Sequence, residues 1–330
     1  MSLNRNILPL LLLLGSLTSC IITENISSIQ IEIMKPGMFI IPDSLNTIAI
    51  VNRSQSKLDS SFFSYFNGLK IISDSTIKYQ ELSNSTVDAV TNLFKKEGYF
   101  ANVINYRDTL KGIELDSITK KDILLQKTKS DIFILLDSYR LENTNINNWV
   151  NSFYTEAYLA WTIGFKTDTT CYIYKQSDIL TYDESQYSSY QKDSCLRLVL
   201  LNTSNYLGES FARKIIPSWL TVDRIYYTSK NPDMIRAENL AKNNEWIKAA
   251  KIWNKETKNK NPRIATKACY NLALACEMEG EHDAAIDWLI KSYHGLKNSN
   301  EEHKANCQQY ISVLALRKKE IERVSKQIRN

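Results

Sequence analysis

The spacing of apolar residues changes twice along the chain, and each change predicts a different kind of structure. Near the start, Ile29, Ile31 and Ile33 alternate with polar residues over 29–34, the pattern of an edge strand. Ile48, Ala49, Ile50 and Val51 form an unbroken apolar run, which predicts a central strand buried on both faces. Val87, Val90, Leu93 and Phe94 recur at helical spacing over 85–97, with Gly98 placed as the C-terminal cap. Residues 103–106 and 131–137 supply two further strands, so the opening reads as βαβ-like. The period then falls to two. Ala157, Leu159, Trp161, Ile163 and Phe165 alternate with polar or tyrosine residues, and 171–174 and 179–182 follow in the same manner, predicting a half-exposed antiparallel meander. Leu207, Phe211, Ile215 and Trp219 lie four apart and predict one stripe on a helix that covers the sheet.

From about Asn231 no strand pattern survives, and an internal repeat takes over. Asn244, Trp246, Ala249, Ala250 and Trp253 match Gly280, His282, Ala285, Ile286 and Leu289 at an offset of 36 residues (285 minus 249). The same offset carries Ala237 onto Ala273 and Leu240 onto Cys276. Small residues at helix crossings, a turn, then alanine and a large apolar residue four later resemble the tetratricopeptide repeat. Its usual period is about 34, so the extra residues are expected in the loop at 259–262. The expected fold class is α+β: an N-terminal mixed α/β sandwich over 29–230, then an all-α tetratricopeptide-like helical repeat region over 231–330. Ala237, Leu240, Ala249, Trp253, Ala273, Cys276, Ala285 and Leu289 are the expected packing positions of the repeats.

Ahead of all this, Arg5, the apolar run from Ile7 to Leu14, and Leu17-Thr18-Ser19-Cys20 have the parts of an export signal and resemble a bacterial lipobox. That resemblance implies a signal peptide over 1–19, lipid on Cys20 and a lipidated leader over 20–28. The apolar run falls short of the ~20 residues that span a bilayer. The expected location is the cell envelope, lipid-anchored, with Ile21 at the position where an inner-membrane retention signal usually has Asp, suggesting outer-membrane sorting.

The net charge of +5 is spread among interspersed Lys and Glu, which excludes a nucleic-acid stripe. Arg317, Lys318, Lys319, Arg323, Lys326 and Arg329 alternate with Glu320 and Glu322 and read as a solvated helix face rather than a membrane-surface or partner patch. Besides Cys20 five cysteines remain of six, an odd number. Pairs Cys171–Cys195 and Cys276–Cys307 are open alternatives to free, buried thiols.

Gly208, Ala212, Ile216-Pro217-Ser218-Trp219, Arg224 and Tyr226-Tyr227, continued by Asn271-Leu272-Ala273, Glu277, Gly280 and Ala284-Ala285, resemble an uncharacterised family of Bacteroidota lipoproteins. Its members join a domain of unknown function to tetratricopeptide helices, and the family brings no activity. The α/β half also resembles the N-terminal domain of TolB and CsgG-like domains, at the level of fold.

Chemistry is thinly represented. All three histidines, His282, His294 and His303, lie in the helical part, leaving the α/β part without a Ser-His or Cys-His pair. His282 takes a position where the repeat carries a core aromatic residue. No catalytic, cofactor or metal site is expected. Asp131, Asp137, Asp183 and Glu184 are the carboxylates a hydrolase could pair, and Glu277, Glu279, Glu281 and Asp283 read as a solvated acidic turn. Tyr154, Tyr158, Tyr172, Tyr174, Tyr182, Tyr187 and Tyr190 crowd the meander, as at half-wet contact surfaces. The expected function is a membrane-anchored, non-enzymatic scaffold binding a protein or peptide through its helices. The alternative is an envelope hydrolase or carbohydrate-binding protein using the tyrosine-rich meander.

Overall fold

A computed structural model describes residues 26–54, 62–67, 70–106, 118–147, 152–183, 192–296 and 301–328. Among them are eight helices and two sheets. The described residues divide into two compact units, one holding Glu32–Thr221 with 317–328, the other Val222–Leu316 with 26–31. Strands β1 (Ile26–Lys35) and β9 (Ser218–Tyr227) pair in a two-stranded sheet.

The α/β unit is built on a seven-stranded sheet. Strand β2 (Thr47–Asn52) runs parallel to β5 (Asn102–Tyr106) on one side and β6 (Ile132–Asn147) on the other. Its four apolar residues are all buried because helices cover both faces. Helices α1 (Tyr79–Glu97) and α3 (Lys192–Ile215) pack over Ile48, Ile50, Ile134 and Trp161, while α2 (Ile118–Thr128) packs over Val51, Phe133 and Leu135. The α1 helix starts six residues before the expected 85 (85 minus 79) and ends on Gly98 at φ 63°. That left-handed geometry suits glycine, whose lack of Cβ removes the clash. A Cβ on Gly208 would lie 2.2 Å from the Thr86 carbonyl oxygen, so only glycine permits the close crossing of α3 on α1.

Strand β7 (Ser152–Phe165) pairs antiparallel with β6 and with β8 (Cys171–Asp183), one continuous strand where the sequence suggested two segments. A hairpin of β3 (Phe62–Asn67) and β4 (Lys70–Lys78), unforeseen from the sequence, joins the far end of β6 through Asn145 and Ile146. The stripe of Leu207, Phe211 and Ile215 is buried in α3, with Phe211 stacked on Trp161 at 4.0 Å. Trp219 is not part of it. It lies on β9 and is exposed, because Pro217 ends the helix and forces the preceding residue toward extended backbone.

The second unit pairs α4 (Pro232–Lys242) with α5 (Trp246–Glu256), and α6 (Pro262–Met278) with α7 (His282–His294). Asn231 and Asn261 cap α4 and α6 by accepting backbone N–H groups, each with proline at the first helical position. The two turns between paired helices are alike in backbone. Asn244 and Gly280, 36 residues apart (280 minus 244), both have positive φ, 60° and 80°. Glu245 N–H donates to Leu240 O at 2.9 Å, and Glu281 N–H to Cys276 O at 2.8 Å. Asn is the residue other than glycine that best tolerates this conformation. The extra length of the second pair lies in α6, 17 residues against 11 in α4, and not only in the loop at 259–262. Helix α8 (Glu301–Ser325) follows.

Candidate functional site

The outer face of the large sheet opens where β6 leaves one neighbour and has not met the next. Pairing with β2 ends at Leu136, and pairing with β3 begins at Asn145. A depression of about 670 Å³ lies there, lined among others by Ser54, Asp137, Arg140, Tyr158, Lys175 and Ser177. The register explains its shape. Ser138, Ala160 and Lys175 align across three strands, so two small side chains form a low floor, and Arg140, Tyr158 and Ser177 align beside them. Arg140 sits 5.3 Å from the Tyr158 ring and pairs with Glu142 at 2.9 Å. Tyr154 and Tyr158 both donate to Glu156, at 2.8 and 2.9 Å. These bonds to Glu156 raise both phenol pKa values, because losing the proton would remove the bond and set two anions together.

Of the candidate acids, Asp131 and Asp137 stand at opposite ends of the apolar run of β6 and do not converge. Asp131 accepts the backbone N–H groups of Asn46 and Thr47, both at 3.1 Å, and fastens the start of β2. Asp137 pairs with Arg53 at 2.5 Å and accepts the Thr162 hydroxyl. The Asp183 side chain and Glu184 lie outside the described residues, as do Tyr187, Tyr190 and the side chain of Tyr182. Tyr172 is exposed, and Tyr174 accepts from Lys214 at 2.7 Å. Arg53, Arg140 and Lys175 were not singled out from sequence, since single cations on alternating strands carry no motif.

In the helical unit, Ala237, Ala249, Ala273 and Ala285 are fully buried, with Trp253 and Leu289 beside them. Leu240 and Cys276 are only half-buried, each just ahead of its turn. The acidic turn is not uniformly solvated. Glu277 is buried and takes a two-pronged pair of 2.9 Å bonds from Arg224, 53 residues earlier, plus the Tyr310 hydroxyl at 2.5 Å. Asn271 accepts the Tyr227 N–H at 2.7 Å and donates to its carbonyl at 2.8 Å, clasping the end of β9 as a neighbouring strand would. Tyr227 Oη accepts from Asn306 and lies 2.9 Å from His303 Nδ1. His303 is the buried histidine. His282, expected in the core, is half-buried with Nδ1 at 2.7 Å from Gly280 O, because its turn faces outward.

Cys171, Cys269 and Cys276 are free thiols, so no Cys276–Cys307 bridge forms, and the Cys195 side chain lies outside the described residues. Burial pushes the Cys171, Cys269 and Cys276 thiols up, which disfavours the nucleophilic thiolate. Cys20 also lies outside the described residues, among which no helix is long and apolar enough to cross a membrane.

No curated protein matches the sequence. Among solved structures, an uncharacterized protein aligns at 9% identity over 52% of this chain and 92% of its own, with a TM-score of 0.31. The hypothetical protein CT253 from Chlamydia trachomatis aligns at 7% identity over 51% and 97%, with a TM-score of 0.29. Likeness this loose carries no functional argument. Residues 235–316 match a domain of unknown function, DUF6340. Residues 45–227, more than half of the 330, match another, DUF8603, and the chain belongs to the family which that domain of unknown function defines.

Proposed function

We propose that this protein is a membrane-anchored lipoprotein of the bacterial envelope, without enzymatic activity of its own, that serves as a protein-interaction scaffold through tetratricopeptide-like helix pairs. The observation that carries this reading is the recurrence, 36 residues apart, of one turn geometry between Asn244 and Gly280, with buried alanines at the matched positions 249 and 285. Such pairs stack through small residues and leave one helix face for a partner. Helix α4 offers such a face: Pro232, Ile235, Arg236, Asn239, Leu240 and Asn243 line a shallow groove of about 430 Å³, with Ile235 exposed. Anchoring rests on the lipobox. Cys20 stands six residues before Ile26, the first of β1 (26 minus 20), a tether of at most about 20 Å.

Affinity capture from detergent-solubilised envelopes, comparing the wild type with Ile235→Glu, tests the scaffold. A protein recovered with the wild type and lost with the variant supports it; identical recovery from both sinks the α4 face. Cys20→Ala is expected to leave unprocessed precursor without metabolic palmitate label, and normal labelling would end the anchor reading.

A second reading has its own observation, the depression beside Tyr158. An aromatic ring flanked by Arg140, Lys175 and Asp137 suits a saccharide, which takes apolar contact on one face and hydrogen bonds at its edge. Loss of glycan binding in Tyr158→Ala would favour it, and a glycan array with no signal for the wild type would remove it.

A further inference from the structure

A second cavity, within the α/β unit and away from the sheet depression, has an aromatic floor and a cationic wall. Its volume is about 570 Å³. Phe39, Phe165 and Tyr172 form the floor, with Phe39 at 5.0 Å from each of the others and Phe165 at 5.9 Å from Tyr172. Exposed Met38 and Ile40 extend that apolar surface. Lys319, Arg323 and Lys326 line the opposite side from α8 and the turn that follows it. Their spacing of four and three residues sets them on one helix face.

The apolar side is held in place before anything binds. The Gln327 side chain, itself buried, donates to the carbonyls of Gly37 and Phe39 at 2.9 and 2.7 Å and accepts the Gly37 N–H at 2.9 Å. Met38 N–H donates to Lys214 O at 2.6 Å. A Cβ on Gly37 would stand 2.3 Å from the Ile215 carbonyl oxygen, so the segment lies flat against the end of α3.

Charge then selects the ligand. Three cations face two carboxylates, Asp168 and Glu322. Glu322 is paired with Lys326 at 2.9 Å, and Asp168 accepts a hydrogen bond from Tyr172. Arg323 donates to the Met38 carbonyl, which fixes the guanidinium at the rim without neutralising it. We propose that this cavity binds an amphiphilic anion, a compact apolar body carrying one carboxylate, sulfonate or phosphate. The body would lie on Phe39, Phe165, Tyr172 and Ile40, and the anionic group would meet Lys319 and Arg323. An acidic lipid headgroup with its proximal chain and a free organic anion share this chemistry.

The test is titration of the purified full-length protein with 2-naphthoate, followed by its fluorescence, beside the neutral isostere 2-naphthamide. Saturable binding of naphthoate, with naphthamide much weaker, is expected. Lys319→Glu replaces an attraction by a repulsion of similar size and should weaken naphthoate roughly tenfold. Ile40→Gln should weaken both compounds alike. Competition against bound naphthoate by short-chain phosphatidylglycerol or phosphatidylcholine, which a lipid on Cys20 does not disturb, separates the sources: Lys319-dependent displacement by phosphatidylglycerol alone assigns the site to lipid, and naphthoate binding without it assigns the site to a soluble anion. No naphthoate binding by the wild type, equal binding of the amide, or a Lys319→Glu variant that binds like the parent would each overturn the proposal. Both variants alter exposed side chains, so an unchanged melting temperature is expected to accompany each loss of binding.

Discussion

The two units differ in what their buried polar side chains meet. The α/β unit packs an apolar core, with Phe211 stacked on Trp161 and Gly208 pressed on Thr86; Lys121, Gln176 and Gln327 are buried there against backbone carbonyls, while the Arg140–Glu142 pair lies at the surface. The helical unit buries an ion pair, Arg224 with Glu277, and beside it Asn271, Tyr227 and His303 in bonded contact. Apolar packing is forgiving of small changes in geometry, whereas a buried charge tolerates only its partner. The helical unit should therefore be the more sensitive to loss of a single polar side chain.

The largest effect expected is that of Glu277→Ala. It would leave the Arg224 guanidinium buried without its counter-charge, at a cost of about 3–5 kcal/mol. Arg224→Met combined with Glu277→Leu removes both charges and should recover most of that loss in denaturant melts. A double variant no more stable than Glu277→Ala would show that the pair contributes in some other way, and the contrast between the units would weaken.

Alkaline pH gives the next measure. Burial, and then the Glu277 carboxylate, hold the Tyr310 phenol well above its usual range, and burial does the same for Tyr270. In the unfolded chain tyrosines ionise near 10. Above that pH the unfolded state releases protons that the folded state keeps, so this contribution is complete below about 10 and is lost as pH rises, by about 1.4 kcal/mol per pH unit for each such group. Tyr310→Phe should flatten the decline in stability measured between pH 10 and 11. An unchanged slope would mean that Tyr310 ionises in the folded protein.

Replacing Ala249 or Ala285 by Leu should overpack the helix crossings by roughly 1–3 kcal/mol. Lys248→Leu, at an exposed neighbour, should stay within about 0.5 kcal/mol. Thermal melts of the three variants compare them directly, and equal melting temperatures would remove the shared register on which the scaffold reading rests.

Legibility in the sequence followed the range of the interaction. Strand β2, the end of α1 at Gly98 and the alternation of β7 could be read because each depends on residues a few positions apart. The β3–β4 hairpin was missed, since Lys70–Lys78 mixes charge and apolar residues without steady alternation. Trp219 continued a four-residue spacing that Pro217 had already ended. Glu277 looked solvated because acids surround it in sequence, while its partner stands 53 residues away. Of the outer sheet face, the tyrosines were visible. The gap in β6 pairing that opens the depression was not, because it follows from which strands lie side by side.

The smallest effect expected lies on that outer face and completes the contrast. Tyr158→Phe deletes a hydroxyl that donates to Glu156 on an exposed surface, where water replaces the bond and Tyr154 still occupies the other carboxylate oxygen. The change should stay within about 0.5 kcal/mol in denaturant melts. His303→Ala, by comparison, removes a buried ring packed 5.1 Å from Tyr227 and takes one partner from the Tyr227 hydroxyl, which keeps Asn306, and should cost roughly 1–3 kcal/mol. Both substitutions remove a polar contact to or from a tyrosine, one at the surface and the other in the core, where a packed ring is lost as well. If Tyr158→Phe proved as costly as His303→Ala, the outer face would have to be more ordered than its exposure allows, and the distinction between the wet sheet face and the buried polar cluster of the helical unit would fail.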